Sequence, residues 1–205
     1  MKTFVIKGRC LASPPPSDWR EQLARMLGAK PRRIGVWAEL VMYGALRCMA
    51  DAGEAKLPQD AQIWLSSRRG TYAATAVVLE QLQDGLPMPL SFLQTQPSQV
   101  LALLAARMEW SGNACFVADS ELPALLRLAA AQAGQGGALI GWVDEMDGGS
   151  TNWLRLQPAA IAENGFVPAS PEEVFSPDAV RLQLAATELR VQRARQASLG
   201  EKWAE

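Results

Sequence analysis

The chain of 205 residues contains no histidine. Histidine is the side chain whose free pKa lies nearest neutrality, so its absence removes the common proton shuttle and the usual base beside a Ser or Cys nucleophile. Neither a Ser-His-Asp triad nor a Cys-His pair can be assembled, and no catalytic residue is assigned. Cysteine is scarce as well: Cys10, Cys48 and Cys115 are widely spaced, form no CxxC pair and have no histidine to complete a zinc site. No metal and no cofactor is expected, and unpaired thiols fit a reducing cytoplasm. An excess of basic charge is missing too, the formal net charge being -1. A general nucleic-acid or membrane-surface binder needs that excess, so neither partner is expected. Long apolar runs are lacking: Lys7 and Arg9 interrupt the apolar start before a signal-peptide core or a membrane span develops. Internal repeats and low-complexity tracts are absent, which excludes solenoid folds.

What remains is ordinary globular composition, with 49% hydrophobic and 20% charged residues, enough for one substantial core. Thr3 to Ile6 reads as a short strand ended by Pro14-Pro15-Pro16. A short helix is expected over Trp19 to Leu27 and a buried one from about Ile34 to Ala52, where Ile34, Trp37, Val41, Ala45 and Cys48 recur at helical spacing. Ala61 to Leu65 is a strand candidate, followed by the loop Ser66 to Gly70 and a helix over Tyr72 to Gln83. The prolines within Leu86 to Gln96 predict an irregular segment. Ser98 is a candidate cap for a helix from Gln99 to about Met108. Asn113 to Ala118 reads as a buried strand, with a helix through Leu128 to Ala133 after it. Ala138 to Val143 and Thr151 to Leu156 form an antiparallel hairpin across Asp147-Gly148-Gly149-Ser150. Beyond Pro158 a proline-punctuated linker leads to a helix over Asp178 to about Ala197.

Strands separated by helices define an α/β class: about five strands in one sheet layer, mostly parallel, with the hairpin as antiparallel edge and helices on both faces. Residues 1–158 read as the sheet domain and 159–205 as linker and C-terminal helix.

Three stretches in this order carry a resemblance: FVIKGRCLASP with Trp19 close behind, KPRRIGVWAELVMYGALRCMADAG, and IWLSSRRGTYAATAVVLEQLQDGLPMPLSFLQTQPSQVLALLA. Over roughly residues 1–158 the chain resembles the N-terminal half of the thiolase-like β-ketoacyl synthase fold. More narrowly, it resembles the β-ketoacyl-synthase-like N-terminal family of aryl polyene clusters. The resemblance implies an elbow after the strand Asn113 to Ala118, where a working ketosynthase places a Cys at a helix N-terminus, favourable to a thiolate. Here the elbow reads Ala118-Asp119-Ser120-Glu121-Leu122, with no Cys. Asp119, Ser120 and Glu121 form a degenerate elbow, or more simply a helix start where Asp119 or Ser120 caps and the acids answer the macrodipole. Cys115, inside the strand, is a candidate acyl acceptor and more simply a small buried hydrophobe.

The resemblance further implies an acyl carrier protein as partner, for which Arg32, Arg33, Arg68 and Arg69 are the candidate contact; such pairs are also normal on a solvated surface. A lone half of a condensing enzyme exposes a strand edge and an apolar face. A dimer is therefore expected, with itself or with a ketosynthase whose tunnel this chain shapes as a chain-length-factor-like subunit. Two other functions stay open: a stand-alone structural or regulatory homodimer that retains only the fold, and a small acyl-transfer enzyme using Cys115.

Overall fold

In the computed structural model, which describes residues 2–86, 89–118, 121–160, 165–185 and 188–194, the opening strand β1 (Lys2–Ala12) is longer than the expected Thr3 to Ile6. Lys7 conceals its length. Ile6 lies opposite Leu156 of β5 (Ser150–Ala159) and Gly8 opposite Arg155, so Lys7 is an extra residue and the strand bulges there. Strand side chains alternate between faces, and one extra residue reverses the alternation. Phe4 and Ile6 accordingly join the core on one face of the sheet, while Cys10 and Ala12 pack into the core on the other.

Helices α1 (Trp19–Leu27) and α2 (Val36–Asp51) follow the expected spacing. α2 buries side chains around most of its circumference, among them Trp37, Val41, Tyr43 and Cys48, and such a helix belongs inside a core. It lies close to the sheet because Gly44 carries no Cβ: a methyl group there would overlap Thr151 Oγ1 and the Trp153 indole. Gly141 of β4 (Ala138–Asp144) clears the same indole from the neighbouring strand. Trp153 Nε1 donates to Thr151 Oγ1 at 3.0 Å, and that hydroxyl donates to the Leu40 carbonyl at 2.9 Å.

Between these elements run β2 (Gln62–Ser67), α3 (Tyr72–Gln83), α4 (Pro89–Gln94), α5 (Pro97–Arg107), β3 (Ala114–Ala118) and α6 (Leu122–Gln132). The segment expected to be irregular contains α4, because Pro89 stands at its first residue, where a missing N–H breaks no helical bond. α5 likewise opens on Pro97 with Gln96 at the N-cap, so Ser98 is not its cap.

The sheet has eight strands among the described residues, in the order β3-β2-β4-β5-β1-β7-β8-β6, against the expected five or so. Only β2–β3 and β2–β4 are parallel, and the remaining pairings are antiparallel, so the sheet is mixed rather than mostly parallel. The β4–β5 hairpin forms as expected but is internal, since β1 pairs along nearly all of β5. The helix expected over 178–197 is replaced, within the described residues, by β7 (Ala179–Leu184) and β8 (Leu189–Arg193); β6 (Phe166–Pro168) precedes them. Leu182, Leu184 and Val191 suit a two-residue period as well as a helical one. The open edge of β1 decides between them, taking β7 in register from Lys2 to Val5.

One core lies between the sheet and α1, α2 and α5; the other lies between the sheet, α6 and a 3-10 turn at Glu172–Phe175. Arg155, 1% exposed, ties three segments together. Its Nε donates to Glu54 Oε2 at 2.7 Å, just beyond α2, and its Nη1 donates to the carbonyls of Gly136 and Leu156, each at 2.8 Å. Removing one partner of a buried pair leaves an uncompensated charge. Glu54→Ala is therefore expected to cost about 3 kcal/mol in urea unfolding, the low end for such pairs because Glu54 is partly exposed. A loss below about 1 kcal/mol would mean that the two carbonyls suffice for the guanidinium.

Candidate functional site

The elbow is built where β3 ends at Ala118 and α6 begins at Leu122. Asp119 and Ser120 lie outside the described residues, and the N-cap position belongs to Glu121, in extended conformation and without a side-chain cap bond. Proline in the first turn, Pro123, withholds one of the N–H donors that make a helix start attractive to an anion. Leu122 and Pro123 offer no thiol or hydroxyl, and Glu121 brings a carboxylate of its own. The described part of the elbow can neither attack a thioester nor hold a thiolate. Beside it lies a cavity of about 590 Å³, walled by Leu11, Leu122, Pro123, Trp142 and Phe175, with Glu121 and Glu172 contributing carboxylates.

The thiols stand elsewhere. Cys115 is half-buried in β3, level with Trp64 of β2, and packs against the α6 core; its Sγ lies 3.8 Å from the Phe116 carbonyl. Cys48 is buried on the inner face of α2, and loss of hydration pushes its thiol well above the ordinary range. Burial pushes Cys10 up to about 11, with Arg47 opposing the shift. Among the described residues no group of three or more Cys, Asp or Glu side chains is placed to hold a metal ion.

The arginine pairs sit on two loops that meet. Arg32 and Arg33 precede α2, and Arg33, at φ 60°, presents its carbonyl to Gln94 Nε2 at 3.0 Å. Arg68 and Arg69 follow β2; just beyond them Thr71 Oγ1 donates to the Thr95 carbonyl at 2.9 Å. Both loops are thus fastened to consecutive residues at the end of α4, with all four arginines exposed and in no ion pair within the described residues. Glu145, to which sequence reasoning assigned nothing, accepts from the Ala73 N–H at 2.7 Å at the start of α3. Its burial raises its pKa, partly offset by that bond.

The other feature not read from the sequence is the exposure of α3. None of its residues is buried, although Val77, Leu79 and Leu82 are apolar, and Leu90, Phe92 and Leu93 of α4 are exposed with them. The signal was available: from Gly70 to Ala106 only Glu80 and Asp84 carry charge. β3 pairs only with β2 and is the sheet's edge on this side.

The arrangement, a mixed sheet with helices on both faces, is similar in fold to solved ketosynthase and chain length factor structures. No protein-family model and no curated protein sequence matches the chain. Among solved structures it is similar to a chain of the ketosynthase in complex with its chain length factor from Xenorhabdus doucetiae. The identity is 13% and the TM-score 0.58, over 94% of this chain and 100% of that one. It is also similar to the ishigamide ketosynthase/chain length factor, at 14% identity and TM-score 0.60, over 80% of this chain and 64% of that one. At such identities the likeness is one of fold.

The shifted thiol yields a pH test. Cys10 holds its proton to about 11 in the fold against 9.0 for an unperturbed thiol, so its contribution to stability is intact below pH 9 and is lost as pH rises toward 11. Iodoacetamide labelling of Cys10, followed by peptide mass spectrometry, should accelerate about tenfold per pH unit from about 8 to 10. A plateau near pH 9 would contradict the desolvated setting.

Proposed function

We propose that the chain is a noncatalytic, chain-length-factor-like subunit that pairs with a ketosynthase in a carrier-protein-dependent fatty-acid or polyketide pathway, of the aryl polyene type. The observation that carries this reading is α3, a helix of twelve residues with apolar side chains and no buried position, packed on α4 whose Leu90, Phe92 and Leu93 are exposed with it. Exposed apolar surface of this kind is costly unless a partner covers it. A ketosynthase-like fold makes a ketosynthase the fitting partner, and the elbow beginning Glu121-Leu122-Pro123 leaves condensation to that partner. We read residues 1–158 as the ketosynthase-like unit and the rest as its extension. The arginine loops at the end of α4 are the proposed contact for the acidic carrier protein, whose approach clustered positive charge would steer. Among the described residues no helix is long and apolar enough to cross a membrane, and the three cysteines are free, which supports placement in the cytoplasm.

Co-expression with a ketosynthase from the same organism should yield a one-to-one complex on size exclusion with light scattering. Leu79→Asp, at an exposed position, should weaken that complex at least tenfold without unfolding the chain, as expected for a charge placed in an apolar interface. Replacing Arg32, Arg33, Arg68 and Arg69 by Glu should weaken carrier-protein binding and spare the complex. A monomer that ignores the ketosynthase would end the proposal; a tight homodimer that excludes it would favour a structural role for the bare fold.

A further inference from the structure

We propose that the cavity beside the start of α6 is a binding site for an organic ammonium ion carrying an aromatic or aliphatic body. The cavity, at about 590 Å³, falls in the size range of small-molecule sites. Its walls are apolar and aromatic: Leu11 and Leu122 on two sides, with Trp142 of β4 and Phe175 of the 3-10 turn. Leu11 is 61% exposed, an apolar side chain held toward solvent at the rim, which a bound body would cover.

The charge of the lining selects the ligand. Among the described lining residues the only ionised side chains are Glu121 and Glu172, and no Lys or Arg accompanies them. Glu121 is already engaged within the chain, so selectivity falls to Glu172. Glu172 is exposed and makes no ion pair among the described residues, whereas its neighbour Glu173 is paired with Arg193 at 2.6 Å. Arg9, a cation on the adjoining strand, is turned to other work: its guanidinium donates to the carbonyls of Ser176 and Ala179. An anionic ligand would meet a carboxylate with no compensating cation. A neutral ligand gains only apolar burial. A cation gains that burial, attraction to Glu172 and the company of two aromatic side chains, Trp142 and Phe175. The site does not depend on the partnership proposed above, and it differs in charge preference from one built for acyl carboxylates.

Three probes of one length test the assignment with the full chain: 4-phenylbutylammonium, 4-phenylbutanol and 4-phenylbutanoate, titrated at pH 7 by calorimetry and tryptophan fluorescence. The ammonium is expected to bind about tenfold more tightly than the carboxylate, with the alcohol between them. Glu172→Gln should shrink the advantage of ammonium over alcohol about threefold and leave the alcohol unchanged. Leu11→Gln should weaken all three together, and unchanged circular dichroism would confirm that both variants fold. Equal or tighter binding of the carboxylate, a Glu172→Gln variant with the original preference, or no binding of any probe would overturn the proposal.

Discussion

Helix α2 meets the sheet at Gly44, where the Trp153 indole and the Thr151 hydroxyl fill the space a side chain would take, and the rest of that face is positioned from this contact. The hydroxyl is shared in a short relay, receiving from the Trp153 indole and donating to the Leu40 carbonyl of the helix. Burying two indoles, Trp37 and Trp153, in one layer stabilises the fold by roughly 1.5–3 kcal/mol each, and the indole N–H of Trp37 is satisfied by the Val143 carbonyl at 3.2 Å. α1 and α5 then pack on α2, and their apolar faces are used up there. α3 and α4 stand outside this arrangement, attached chiefly through Glu145, Thr71 and Gln94 at their ends. Their apolar residues are left over because the core beneath is already closed.

The same tight packing bears on chemistry. Two of the three thiols, Cys48 of α2 and Cys10 in the strand that packs against it, sit where water is largely excluded and the neutral form is favoured. The third lies within a strand, away from any helix start. At the start of α6 a glutamate holds the N-cap position and a proline stands in the first turn, neither of which serves an anion.

How much was legible in the sequence depended on whether a segment's period was set locally. α1 and α3 matched to the residue, since their spacing and their stops, Gly28 and Asp84-Gly85, lie within the segments themselves. β1 was cut short because Lys7, Gly8 and Arg9 interrupt its apolar run, and only the register against β5 identifies the interruption as a bulge. The last strands were mistaken for a helix because alternating leucines and arginines fit both periods, and the unfilled edge of β1, distant in sequence, made the choice. At the site, the missing nucleophile and the absent histidines could be read directly. The meeting of the two arginine loops could not, because it passes through Gln94 and Thr95 of a helix that the surrounding prolines disguised.

The extra residue in β1 switches which core the even-numbered residues of that strand reach. Phe4 and Ile6 serve the layer under α6, and Cys10 and Ala12 serve the layer under α2, with no break in the backbone between them. The two layers are joined through backbone common to both, here as in β2, β4 and β5. A substitution in either half of β1 is therefore felt first by a different core, one at Phe4 or Ile6 by the layer under α6 and one at Ala12 by the layer under α2.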